Sequence, residues 1–194
     1  MASADIHRIG EVIEASTQGF TAQCYELYDA PTLGSIVRAG DPTVYAVVSD
    51  IRTQGLDPSR PVTARGQDAA SEEEVYRQNP QLAQLLATRF EALAIGYSQD
   101  GAISPGYPPQ PPRIHAFVHP SSEEDLSRLM ASPDFLHLLV ANPLANDEVI
   151  AAALRQASKH LSEGSEFLVR AGKALAVEFS GQMPRLNSIL RRLS

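Results

Sequence analysis

Between Ile9 and Thr53 the chain reads IGEVIEASTQGFTAQCYELYDAPTLGSIVRAGDPTVYAVVSDIRT, a series of short apolar runs broken at close intervals by turn residues. Ile6 to Glu14 alternates imperfectly and is rich in Ile and Val, as in a strand whose Gly10 permits a bulge or a close backbone approach. Ser16 to Gly19 turns the chain, and Phe20 to Tyr28 resumes a period near two. Ser35 to Val37 is a short β-prone run, Ala39-Gly40-Asp41-Pro42 has turn composition, and VYAVVSDI from Val44 to Ile51 is the strongest strand candidate. Several short strands so spaced favour a closed or nearly closed barrel, because closure removes exposed backbone edges.

Beyond Gln54 the strands are interrupted. Residues 54–70 carry Gly, Pro and Asp at intervals and predict a long crossover loop with one short strand over Pro61 to Ala64. Ser71 and Glu74 have the spacing of a capping box, in which the hydroxyl and the carboxylate answer free backbone amides at a helix start. Asn79-Pro80 then divides two short helices, the second carrying Leu82, Leu85 and Leu86. Strands are expected again at Phe90 to Tyr97 and, past a Gln99-Asp100-Gly101 turn, at Arg113 to His119. The intervening YPPQPP has no ladder donors at its prolines and suits polyproline II.

From Ser121 the periodicity becomes helical. Acidic residues Glu123 to Asp125 open one helix and Ser132-Pro133-Asp134 another, Asp147 to His160 and Ser165 to Phe179 supply two longer ones, and Pro184 to Leu193 gives a terminal amphipathic turn or helix. Gly164 and Gly172 leave open whether the two longer helices are one. The expected class is α+β: a small closed antiparallel β-barrel over residues 1–120 with a helical insertion around 71–89, then an α-helical region over 121–194.

With 43% hydrophobic residues in 194, the chain has enough apolar side chain for a buried core. A formal charge of -7 disfavours a nonspecific nucleic-acid coat, which needs a concentrated basic surface. The single Cys24 fits a reducing interior. The first residues lack the apolar core of a signal peptide and no run is long enough for a membrane span, so a cytoplasmic, soluble protein is expected.

The pattern IGEVIEASTQGFTAQCYEL, LGSIVRAGD and VYAVVSDI resembles the HAS-barrel family, the small barrel shared by HerA-type ATPases and the N-terminal domains of rotary ATP synthase subunits. The likeness runs over roughly residues 6–119, with 54–89 as an insertion. The string from Arg65-Gly66-Gln67-Asp68 through Asn79-Pro80-Gln81-Leu82 to PPQPPRIHAFV is similar to HAS-barrel proteins of unassigned function, mainly bacterial. In the ATPase relatives the barrel precedes a P-loop motor and helps arrange subunits in a ring. The G-x-x-x-x-G-K-[ST] phosphate loop does not occur here, so the resemblance implies assembly or docking and not nucleotide hydrolysis.

No reactive constellation compels an enzyme. His115 and His119 on a strand would share a face but stand roughly 13 Å apart, too far for one metal ion. Cys24 has no neighbouring signature that lowers its pKa and reads as a small core residue. Ser16, Ser35 and Ser49 lack the nucleophile elbow. Asp57, Asp68 and Glu72 to Glu74 do not match a calcium loop and read as loop and helix-start charge. Arg60, Arg65, Arg113, Arg185, Arg191 and Arg192 are the candidate partner-binding residues, since guanidinium groups on loops and a terminal helix suit carboxylates or phosphates, with internal ion pairing as the plainer role. The PPQPPR segment suits either a partner's aromatic groove or packing on the barrel itself.

The expectation is a noncatalytic assembly or docking module, binding itself or another protein, with no cofactor and no metal. An accessory role in a DNA-processing ATPase system is the alternative, which the net charge disfavours.

Overall fold

The strand residues sort by the period of two, and in the computed structural model, which describes residues 7–193, one set of alternating side chains fills a barrel interior. Val12, Phe20, Ala22, Cys24, Val37, Ala46, Val48, Phe90, Ala92 and Val118 form that inner cluster. Alanines interleaved with Val and Phe suit the narrow bore of a small barrel. The strands are β1 (Gly10–Ser16), β2 (Gly19–Cys24), β3 (Ile36–Ala39), β4 (Val44–Gly55), β5 (Leu86–Gln99), β6 (Ala102–Pro105) and β7 (Phe117–Pro120). Their order is β2-β1-β7-β3-β4-β5-β6, and a β2–β5 pairing closes six of them into an antiparallel barrel, with β6 appended to β5.

Register irregularities between Val12 and Glu14, between Tyr45 and Ala46, and between Val48 and Asp50 mark the bulges that bend the strands around the closure. Gly10 permits a close approach: a Cβ there would lie 2.0 Å from the Gln23 carbonyl oxygen across the β1–β2 pair. β4 and β5 outrun the barrel as a ribbon, still paired from Asp50–Glu91 out to Gly55–Leu86. At its end lie α1 (Glu72–Gln78) and α2 (Leu82–Leu85). Ser71 accepts from the Glu74 amide as expected, but the Glu74 carboxylate takes the Ala70 amide, one residue before the cap.

Helices cover part of the barrel's outer surface. They are α3 (Glu123–Leu129), α4 (Phe135–Ala141), α5 (Asp147–His160), α6 (Gly164–Glu178) and α7 (Met183–Arg191). Their apolar faces join the outward residues Ile36, Tyr45, Val47, Leu93 and Ile95 of the strands in one buried cluster. α5 is central, with Val149 to Leu154 buried and its first amides capped by Asn146. Gly34 sits at a left-handed φ of 81° directly against the Ala152 backbone of α5. Arg185 to Asp147 (2.6 Å) and Arg192 to Glu148 (2.9 Å) tie α7 to the start of α5.

Several expected boundaries move. Ile6 lies outside the described residues, and β1 begins at Gly10, with Ile9 just before it already bonded to the Val118 carbonyl and the Tyr25 amide. β2 ends at Cys24 because the chain turns away to Tyr28, which takes a left-handed φ of 68° and donates its amide to the Thr88 hydroxyl. Pro61 to Ala64 forms no strand: the segment is exposed, and the Arg60 amide before it turns back to the Asp57 carbonyl. The expected strand Arg113 to His119 shortens to Phe117–Pro120, since His115 has a left-handed φ of 67° and the Ala116 amide turns back to the Arg113 carbonyl. The chain breaks between α5 and α6 at Ser162-Glu163, whereas Gly172 lies within α6. β6 is a strand the periodicity does not announce.

Candidate docking groove on the barrel face

The helical layer leaves the outer face of β1, β7 and the end of β3 uncovered, and cross-strand register builds a site there. Val118 points into the barrel, so Phe117 and His119 on either side of it point out. Phe117 stands opposite Glu11 of β1, and His119 opposite Arg38 of β3. The β3–β4 turn (residues 40–43) and the 113–116 segment raise the walls of a groove of about 510 Å³, lined among others by Arg38, Asp41, Arg113, His115, Phe117 and His119. Pro112 is buried beside Gly40, where a Cβ would come within 3.1 Å of the proline ring, while Pro109, Gln110 and Pro111 stay exposed.

The apolar content of this face is exposed: Phe117 is 43% and Ile114 50% accessible, and Tyr25 is 47% accessible beside Glu11. The Arg8 guanidinium lies over the Phe117 ring at 4.1 Å, a cation–π arrangement that holds both flat on the surface. Arg38 reaches the Pro120 carbonyl at 3.4 Å and Asp125 of α3 at 3.8 Å. Arg113 is exposed and makes no side-chain hydrogen bond or ion pair with the described residues.

The two histidines are held differently. His115 Nδ1 is 2.6 Å from Glu11 Oε2, and this bond holds the Glu11 carboxyl below the usual range. His119 Nδ1 is 3.1 Å from the His7 carbonyl, which can only accept, so that nitrogen carries the proton. Burial lowers the His119 pKa, and the nearby Arg38 and Arg8 charges lower it further against the opposing pull of the His7 carbonyl. Their separate anchors replace the shared strand face expected for His115 and His119.

The other candidate arginines are placed elsewhere. Arg60 and Arg65 lie in the β4–β5 connection, where Arg60 meets Asp57 at 3.4 Å and Arg65 donates to the Asn79 side chain at 3.4 Å. On or just past α7, Arg185 and Arg192 hold the ion pairs to α5, with Arg185 also over the Phe179 ring at 4.7 Å, and Arg191 is exposed on the same helix. The structure thus distributes the candidates over three segments, and Arg113 alone enters the groove. Arg8, Arg38, Ile114 and Phe117 were not singled out in the sequence; the signal was the apolar Val118 flanked by outward residues.

Cys24 is buried in the barrel, and burial, with the Asp29 charge, pushes its thiol up to about 11. Among the described residues no group of three or more His, Cys, Asp or Glu side chains is placed to hold a metal ion, and no helix is long and apolar enough to cross a membrane.

No protein-family model matches the chain, and no curated protein matches it in sequence.

Proposed function

We propose that the chain is a noncatalytic docking module, joining another protein or a second copy of itself through the uncovered face of its barrel. The observation that carries this reading is the groove over β7, where exposed Phe117 and Ile114 sit within reach of Arg8, Arg38 and Arg113 on a chain of net charge -7. Exposed aromatic and arginine side chains are the residue types enriched at protein interfaces and at their energetic centres. The resemblance to HAS-barrel proteins, whose barrels help arrange subunits in ATPase assemblies, supports the same reading.

A photo-cross-linking residue in place of Ile114 tests it in cells. Adducts between the barrel face and a protein are expected, and they are lost when Phe117 is replaced by Asp. Light scattering separates the two kinds of partner: a mass that rises with concentration identifies a second copy. Absence of any protein adduct, together with a constant monomer mass, would refute docking through this face.

A further inference from the structure

We propose that the groove over β7 takes an acidic polypeptide segment carrying one aromatic or aliphatic side chain; this rests on the docking reading above and names its partner class. Charge and shape both point this way. The groove lining holds four nitrogen-bearing side chains, Arg38, Arg113, His115 and His119, against one carboxylate, Asp41. Among the described carboxylates beside it, Glu11 is already bonded to His115 and Asp125 already faces Arg38. Arg113 makes no side-chain hydrogen bond or ion pair with the described residues, and its planar fork of donors has the geometry that grips a carboxylate with two parallel hydrogen bonds. Arg38 uses only its Nε on the Pro120 carbonyl and lies 3.8 Å from Asp125 through that same atom. Its terminal nitrogens make no hydrogen bond with the described residues.

The apolar part of the segment has its own seat. Phe117 and Ile114 are about half exposed on the floor and wall of the groove. Covering them with a side chain removes apolar surface from water and dries the surrounding charge pairs, which strengthens them. Arg8, stacked on Phe117, remains available at the edge of that contact to a second carboxylate.

His119 gives the site a property that a merely apolar groove lacks. Its proton-bearing Nδ1 is fixed on the His7 carbonyl, so a second proton can enter only at Nε2. In the free chain burial first, and then the neighbouring Arg38, Arg8 and His7 side chains, oppose that proton. An acidic segment laid between them reverses the balance of charge, so docking takes up a proton and tightens as pH falls from about 7.5 to about 6.

The test uses the full chain and a short fluorescein-labelled peptide of Asp and Glu around one central Phe, followed by fluorescence anisotropy. Binding is expected that weakens with salt, tightens between about pH 7.5 and about pH 6, and weakens about tenfold or more in Arg113→Glu. Arg113 is exposed, and an unchanged melting temperature confirms that this variant is folded. His119→Gln is expected to retain binding near pH 7.5 and to show a smaller pH dependence than the wild type, the remainder coming from His115 in the same lining. Equal affinity in Arg113→Glu, or tighter binding of the same peptide with Lys in place of its acids, overturns the proposal, as does tighter binding of a DNA duplex. Protein adducts at position 114 without acidic-peptide binding overturn the partner class and leave docking standing, whereas neither adducts nor binding removes both.

Discussion

Cys24 packs in the barrel with Val12, Phe20 and Ala22, and the same burial that closes it to solvent raises its pKa to about 11. Thiolate is the reacting species, so both effects slow modification. With a thiol-reactive maleimide at about pH 8 the native chain is expected to label slowly, and to label fully in denaturant; rapid native labelling would contradict the burial. His119 shows the same physics with the opposite sign. Burial lowers its folded-state pKa below the ordinary histidine value of 6.5, so the unfolded chain takes up the proton first as pH falls. Its contribution to stability is complete above that value and is lost as pH drops through the folded-state pKa. Glu11 and Glu148, whose carboxyls are held low by hydrogen bonds from His115 and Arg155, lose theirs only below about pH 4.5. Melting curves on the wild type are therefore expected to show a decline in Tm just below pH 6.5 that His119→Gln removes, and a second decline at lower pH that it leaves in place. A single decline, unaffected by the substitution, would count against the placement of His119.

Among the elements, β4 was legible because it is buried twice: Val44, Ala46 and Val48 or their neighbours face the bore or the barrel ends, while Tyr45 and Val47 face the helices. A strand covered on both sides reads as a continuous apolar run, and it turns polar at Ser49 where the ribbon leaves the body. α5 was legible from its apolar periodicity over Asp147 to His160. β6 was not, because its four residues, AISP, are only partly buried and their pairing with β5 is set by the Asp100-Gly101 turn, both residues of which have positive φ. The groove was illegible for a related reason: Arg8, Arg38 and residues 113–119 come from three distant segments, and only the β1–β7–β3 register brings them together. The seam between barrel and helices gives two predictions. Gly34→Ala puts a Cβ 2.3 Å from the Ala152 carbonyl carbon at a left-handed φ, and is expected to cost about 2 kcal/mol or more in urea denaturation. Arg185→Ala removes both a partly exposed ion pair to Asp147 and the guanidinium packed over Phe179, and a loss of ~1 kcal/mol, of which only the ion-pair share shrinks in high salt, is expected from the same measurement.

At the scale of the molecule, the cluster that holds the helices together also contains Ile36, Tyr45, Val47, Leu93 and Ile95 from the barrel wall. A fragment ending at Pro120 would expose all five on a continuous apolar face. It is expected to self-associate, with light scattering showing masses above the monomer and circular dichroism a weakened β signal; a monodisperse, fully folded fragment would show that the barrel does not need its helical cover. The position of β7 has a further consequence, in the order of synthesis. β7 is the last barrel strand to be made, yet it lies between β1 and β3, the first strand and the third. A nascent chain that has emerged only as far as Gln99 holds five of the six barrel strands with a gap in the ring, and it must keep the facing edges of β1 and β3 unpaired until the proline-rich connection and β7 arrive. Non-local pairings of this kind form slowly and leave edges open to misassembly while they wait. The prolines at 108, 109, 111 and 112, which cannot join a strand ladder, separate that late strand from the earlier ones, and so keep the segment preceding β7 from occupying the gap in its place.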